Sequence, residues 1–225
     1  QKEVKIASIY RTFFLIIIVI NISRLGINMP EYKAPVRDIK FVMQELLNCE
    51  SHYQKLGYED ASIDMIDAIV SEAAKFSEQV VAPINQIGDE QGCTWTDGVV
   101  TTPDGFKEAY KQFVDGGWPT LAQSEEFGGQ GLPHSLNGAI TELFSSANHS
   151  FAMYPGLSHG ALATIEAHGS ELQKNMFMPK LVEGSWTGTM CLTEPHCGTD
   201  LGMLRTKAEL NDDGTYNICF EDGDY

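Results

Sequence analysis

Long apolar runs are missing from this chain. The longest, Phe13–Ile20, holds eight residues, against the roughly 20 that a membrane-spanning helix needs. Positive charge is scarce: 15 Lys and Arg oppose 31 Asp and Glu, for a net charge of -16. Such a surface repels phosphate backbones, which argues against nucleic acid as a partner; the shortness of the apolar run is what makes a membrane an unfavoured one. Paired cysteines are missing too. Cys49, Cys93, Cys191, Cys197 and Cys219 are odd in number and scattered, with no CxxC. That argues against a secreted disulfide framework and for a reducing, cytoplasmic setting. Cys191, His196 and Cys197 have no second ligand cluster near them in sequence, so no metal is assigned to them. The Gly128–Gly131 stretch, GGQG, has neither the GxGxxG spacing of a dinucleotide loop nor the lysine of a P-loop. It reads as a sharp loop between helices.

What is present is a globular composition, 43% hydrophobic and 20% charged over 225 residues, enough for a sizeable core. Residues 1–28 differ from the rest. Lys2, Lys5 and Arg11 precede the apolar run, as in a signal peptide, yet no small-x-small cleavage site follows. They read as a non-native upstream segment with Met29 as the natural start, or else as a targeting or anchoring segment.

From Met29 the pattern is helical. Helices are expected over Val36–Leu56, over Ser62–Val81 with Ser62 as cap and Pro83 as stop, and from Thr102 to Val114. Three more are expected over Ser135–Asn148, Pro155–His168 and Ser170–Val182. Thr94–Thr101, with Asp97-Gly98 at its centre, reads as a tight hairpin. Glu125 and Glu126 are adjacent and read as solvated charges, and His159 and His168 receive no chemistry. After Gly184 the period changes to alternation. Trp186–Leu192 reads as a strand, and Arg205–Leu210 and Thr215–Phe220 as two strands about an Asn211–Gly214 turn. The fold class is therefore α+β: a helical domain over 29–184, then the start of an antiparallel β-domain over 185–225.

Between these strands lies Thr193-Glu194-Pro195-His196-Cys197-Gly198-Thr199-Asp200. Pro195 and Gly198 break regular structure, and the loop is rich in hydroxyls and backbone N–H groups. Such a loop suits an anion or a flat polar ring. Met190 through Asp200 resembles the flavin-binding signature of the acyl-CoA dehydrogenase family. That signature has an aromatic or apolar residue, two variable residues, Thr-Glu-Pro, two variable residues, then Gly-Ser/Thr-Asp. Met190 stands where the family usually has an aromatic, and Thr199 where serine is commoner. Pro30-Glu31-Tyr32, Phe127–Pro133 and Tyr154–Leu157 resemble the longer subgroup that includes the 3-methylmercaptopropionyl-CoA dehydrogenases.

The resemblance implies an FAD-dependent oxidoreductase that α,β-dehydrogenates an acyl-CoA thioester, 3-methylthiopropanoyl-CoA among the candidates. It implies electron-transfer flavoprotein as electron acceptor and a homo-oligomer when full length. Met190, Leu192 and Thr193 would contact the flavin ring. Gly198 and Thr199 would approach its diphosphate, Thr199 would also touch the CoA substrate, and Asp200 would fix the loop. The family carries its catalytic glutamate in a C-terminal helical bundle, and no stretch of these residues resembles one. Phe220–Tyr225 also departs from the family's continuation. The expectation is a fragment without the catalytic base region, inactive alone and holding flavin weakly, if at all. The alternative is a non-catalytic scaffold that binds flavin or CoA.

Overall fold

The computed structural model describes residues 31–219; the readings made for residues 1–28 and for Phe220–Tyr225 lie outside them. Helix α1 (Val36–Lys40) continues as a π-helical turn, Phe41–Leu46. The single helix expected here is two. Asn48 sits in the left-handed region at φ 48°, which its short polar side chain tolerates, and α2 (Cys49–Lys55) starts after it. Helix α3 (Ile63–Phe76) is capped as the sequence suggests, with the Met65 N–H donating to Ser62 Oγ at 3.3 Å. It ends in a second π-helical turn, Ser77–Val81. Pro83 then opens α4 (Pro83–Gln91) rather than ending the chain's helical run. A first-turn proline has no N–H to lose there.

The hairpin is formed as expected, β1 (Thr94–Thr96) with β2 (Val99–Thr101), and Trp95 lies opposite Val100. Asp97 and Gly98 both have positive φ, as a tight two-residue turn requires. Helix α5 is Phe106–Asp115, α6 His134–Ala147, α7 His149–His168 and α8 Glu171–Val182. Helix α7 starts two turns earlier than its proline suggests. Asn148 Oδ1 accepts the Phe151 N–H at 3.1 Å and sets the N-terminus, so Pro155 falls inside the helix. Helix α8 carries a full capping box between Ser170 and Gln173.

The main core lies between α3 and α6. Val70, Ala73, Leu136 and Leu143 are each 0% exposed. Phe76 sits at the centre of an aromatic group, its ring 5.4 Å from Phe144 and 6.2–6.4 Å from Phe113, Trp118 and Phe151. A smaller cluster of Phe127, Leu162, Met178, Leu181 and Val182 ties α7 and α8 to the loop before α6. Beyond α8, β3 (Lys207–Leu210) and β4 (Tyr216–Cys219) pair antiparallel, Ala208 opposite Ile218. Among the described residues no helix is long and apolar enough to cross a membrane.

Candidate functional site

The loop is delivered by a short, pinned connection. Gly184 has φ 80°, and a Cβ there would meet Val114 Cγ2 at 2.8 Å, so glycine is required to turn the chain against α5. The Tyr110 hydroxyl donates to the Gly184 carbonyl at 3.1 Å. Trp186 returns its N–H to Lys180 O at 3.0 Å and lays its indole beside Phe177, with Lys180 Nζ 5.3 Å from the ring centroid. The Gly188 N–H donates to Ser158 Oγ at 3.1 Å, and a Cβ on Gly188 would lie 2.6 Å from Ala161 Cβ. The chain therefore lies flat on α7. The strand expected over Trp186–Leu192 does not form among the described residues. A strand needs a neighbouring backbone edge, and here the neighbour is the side of a helix.

At Glu194 the chain doubles back. Glu194 and Cys197 exchange backbone hydrogen bonds, N–H to O, of 2.8 and 3.1 Å. This turn brings Gly198 back against Thr193: a Cβ at 198 would be 3.3 Å from Thr193 Cγ2 and 3.5 Å from its Oγ1. Of the five residues singled out for the cofactor, Thr193 and Gly198 are thus placed side by side. Met190 and Leu192 are 65% and 38% exposed, and Thr199 is exposed. Asp200 Oδ1 accepts the Gly202 N–H at 3.1 Å, which fixes the end of the loop.

The residue that sequence reasoning passed over is Glu194. Its side chain is only 12% exposed. Its carboxylate accepts the Thr206 N–H at 2.9 Å and the Arg205 N–H at 3.0 Å, closing the loop onto the start of β3. These amides, Thr206 first and Arg205 next, hold its carboxyl below the usual glutamate range. His196 Nε2 lies 2.9 Å from Met203 O and 3.4 Å from Glu194 Oε2. Glu194, His196 and Cys197 gather ligand-capable atoms within 4.8 Å of one another. The carboxylate is already engaged by backbone amides and the imidazole by a carbonyl, so the grouping fixes the loop. Cys191 is not part of it.

The helical body thus hands over at Gly184 to a Thr-Glu-Pro loop and an antiparallel hairpin. Comparison with known proteins shows the family. The family model described as Acyl-CoA dehydrogenase, N-terminal domain, matches residues 64–185, more than half of the chain. The chain belongs to the acyl-CoA dehydrogenase family. It is 41% identical over 187 residues to the 3-methylmercaptopropionyl-CoA dehydrogenase of Ruegeria pomeroyi, covering 83% of this chain and 32% of that protein. Among solved structures it resembles butyryl-CoA dehydrogenase from Megasphaera elsdenii, with a TM-score of 0.58 and 27% identity over 69% of this chain and 39% of that one. It also resembles an acyl-CoA dehydrogenase from Bacillus anthracis complexed with FAD, with a TM-score of 0.56 and 26% identity over 71% and 26% of the two chains. The chain spans about a third of the length of the curated relatives it matches.

Proposed function

We propose that this chain supplies the helical domain, residues 29–184, and the flavin-binding loop of an FAD-dependent acyl-CoA dehydrogenase. The enzyme would α,β-dehydrogenate an acyl-CoA thioester, 3-methylthiopropanoyl-CoA being the substrate suggested by the subgroup resemblance. The observation that carries the reading is the closed loop. Glu194 holds Arg205 and Thr206, Gly198 lies against Thr193, and the Thr193 and Thr199 hydroxyls have no partner among the described residues.

This arrangement fits a flavin. Met190 and Leu192 offer exposed apolar surface for a ring face, a thioether being able to pack on a ring. Thr193 offers a hydroxyl and a backbone N–H for its polar edge. Gly198, without a Cβ, lets the backbone come close to a diphosphate, and Thr199 offers a hydroxyl there and toward the CoA substrate. When bound, FAD supplies the hydride acceptor. The chain's own residues orient it and keep the loop in one shape. No glutamate of this chain is assigned as the base; that role is proposed for a C-terminal helical bundle, as are homo-oligomerisation and electron transfer to electron-transfer flavoprotein.

Titration of the purified chain with FAD, followed by flavin fluorescence, tests the reading. Weak saturable binding is expected, reduced about fivefold to tenfold in Thr193→Val, the effect of one lost hydrogen bond. Flavin affinity that is absent, or indifferent to Thr193, would sink it.

A further inference from the structure

The segment before the main core presents a face that no described residue covers. Helix α1 and the π-helical turn after it sort their side chains into rows. Ile39 and Met43 join the core and are 8% and 5% exposed. Lys40 and Gln44 both hold Asp67 on α3, the Lys40 ammonium at 3.0 Å. That leaves Arg37, Phe41 and Glu45, which recur every four residues and line a shallow groove with Val36 and Gln44. All three are exposed. The wide turn is closed by the Leu47 N–H donating to Val42 O at 2.9 Å, and it leaves Val42, Leu46 and Leu47 outside as well. Phe41, Val42, Leu46 and Leu47 are 51%, 40%, 66% and 60% exposed. Large apolar side chains gathered on one short stretch mark an interaction surface, unlike apolar residues scattered singly.

The charges define the partner that fits. Among the described residues neither Arg37 nor Glu45 makes a salt bridge. They stand four residues either side of Phe41, one positive and one negative. Such a row is complementary to itself when turned end for end. A twofold axis at Phe41, with the two helices antiparallel, sets Arg37 of each copy opposite Glu45 of the other. A closed pair uses the same patch on both copies in this way. Residues 36–47 also carry Arg37 and Lys40 against Asp38 and Glu45, for no net charge, on a chain of net charge -16. Two copies meeting here avoid the repulsion that acidic surfaces impose. The face lies outside residues 64–185, which the family model matches, so it is an addition to the domain that the model describes.

We propose that this face pairs with itself in a second copy of the chain, Phe41 against Phe41 at the centre and an Arg37–Glu45 salt bridge on either side. The central ring supplies most of the attraction, and the charges set the antiparallel register. Two short helical segments fall below the roughly 20–30 residues a side of a standard interface, so the pair forms and separates with concentration. It needs neither flavin nor substrate, and its test is independent of the dehydrogenase reading.

Sedimentation equilibrium of the 225-residue chain from micromolar to millimolar concentration tests the pairing. The average mass should rise from one chain toward two and no further. Phe41→Ala and Arg37→Glu should each weaken the association about tenfold, the first by removing the central ring and the second by setting like charges face to face. Both positions are exposed, so folding should be unaffected. Glu45→Arg should weaken it as Arg37→Glu does. Mixing reads the register. Arg37→Glu and Glu45→Arg chains, each weak alone, should pair with one another about as well as unmodified chains do, because each offers the charge that the other needs. A chain that stays monomeric at millimolar concentration overturns the proposal, as does a dimer indifferent to Phe41→Ala and Arg37→Glu. Masses that keep growing past two chains overturn the twofold. Weakened variants that fail to pair when mixed overturn the antiparallel register.

Discussion

The helical body and the stretch from Gly184 to Cys219 are held in place by different forces. In the body, Leu136, Leu143, Val70 and Ala73 are fully buried, and the rings about Phe76 interlock. In the stretch, β3 is exposed along its whole length, and Leu210, Tyr216 and Ile218 are 65%, 59% and 55% exposed. A two-stranded hairpin has too little apolar burial to be stable alone. It is tied by individual hydrogen bonds instead: Gly188 to Ser158, Trp186 to Lys180, Arg205 and Thr206 to Glu194. Burial therefore sets the stability of the body, and a few polar clasps set the shape of the candidate site.

The sharpest way to break that comparison is to cut one apolar side chain from each region. Leu136→Ala is expected to cost about 3–5 kcal/mol, because it removes buried methyl groups and leaves a cavity between α3 and α6. Ile218→Ala is expected to stay within about 0.5 kcal/mol, as for other exposed positions. Urea unfolding of both variants measures the gap, and equal costs would mean that the hairpin is packed like the body.

A smaller effect tests a polar residue that works inside the body. Asn148 is 1% exposed. It caps α7 through the Phe151 N–H, and its Nδ2 donates to Val81 O, the end of the π-helical turn, at 3.3 Å. Asn148→Ala removes a cap and leaves a buried carbonyl without its donor, for an expected cost of about 2–3 kcal/mol. Asn148→Ser keeps a cap oxygen but not the donor to Val81 O, so its cost should be smaller than that of the alanine variant. If it matches the alanine variant, the cap contributes nothing.

The sequence shows the body better than it shows the site. Stripes such as Leu136, Ile140, Leu143 and Phe144 are local, and their helix follows from a period of 3.6. Prolines misled for a physical reason. Pro83 and Pro155 signal a boundary nearby, but only the caps, Ala82 with its helical backbone and Asn148 with its side chain, say on which side the helix lies. Strand alternation at Trp186–Leu192 was legible as pattern, yet a strand depends on a partner that sequence does not name. The five residues proposed for the flavin were reached through the family resemblance of residues 190–200, not through their spacing alone. The role of Glu194 could not be reached in this way, because its partners at 205 and 206 are remote in sequence and are backbone amides, which every residue carries.

The finest test of the comparison acts on that clasp alone. Glu194 has its carboxyl lowered by the Thr206 and Arg205 amides. A group lowered in the folded state contributes order above its ordinary value, and that order is lost as pH falls through the folded value. The Thr206 amide resonance should therefore titrate with a midpoint below about 4.3, the ordinary glutamate value, while resonances of the α3–α6 core stay unchanged. In Glu194→Gln the titration should vanish and exchange at the Arg205 and Thr206 amides should quicken, because a neutral amide accepts more weakly than a carboxylate. The unfolding midpoint of the body should hardly move, since no buried apolar surface is lost. A Thr206 amide that titrates at or above the ordinary value means that the clasp is not closed in solution. A global loss of stability in Glu194→Gln means that loop and body are one cooperative unit, and that the separation of forces drawn between them is wrong.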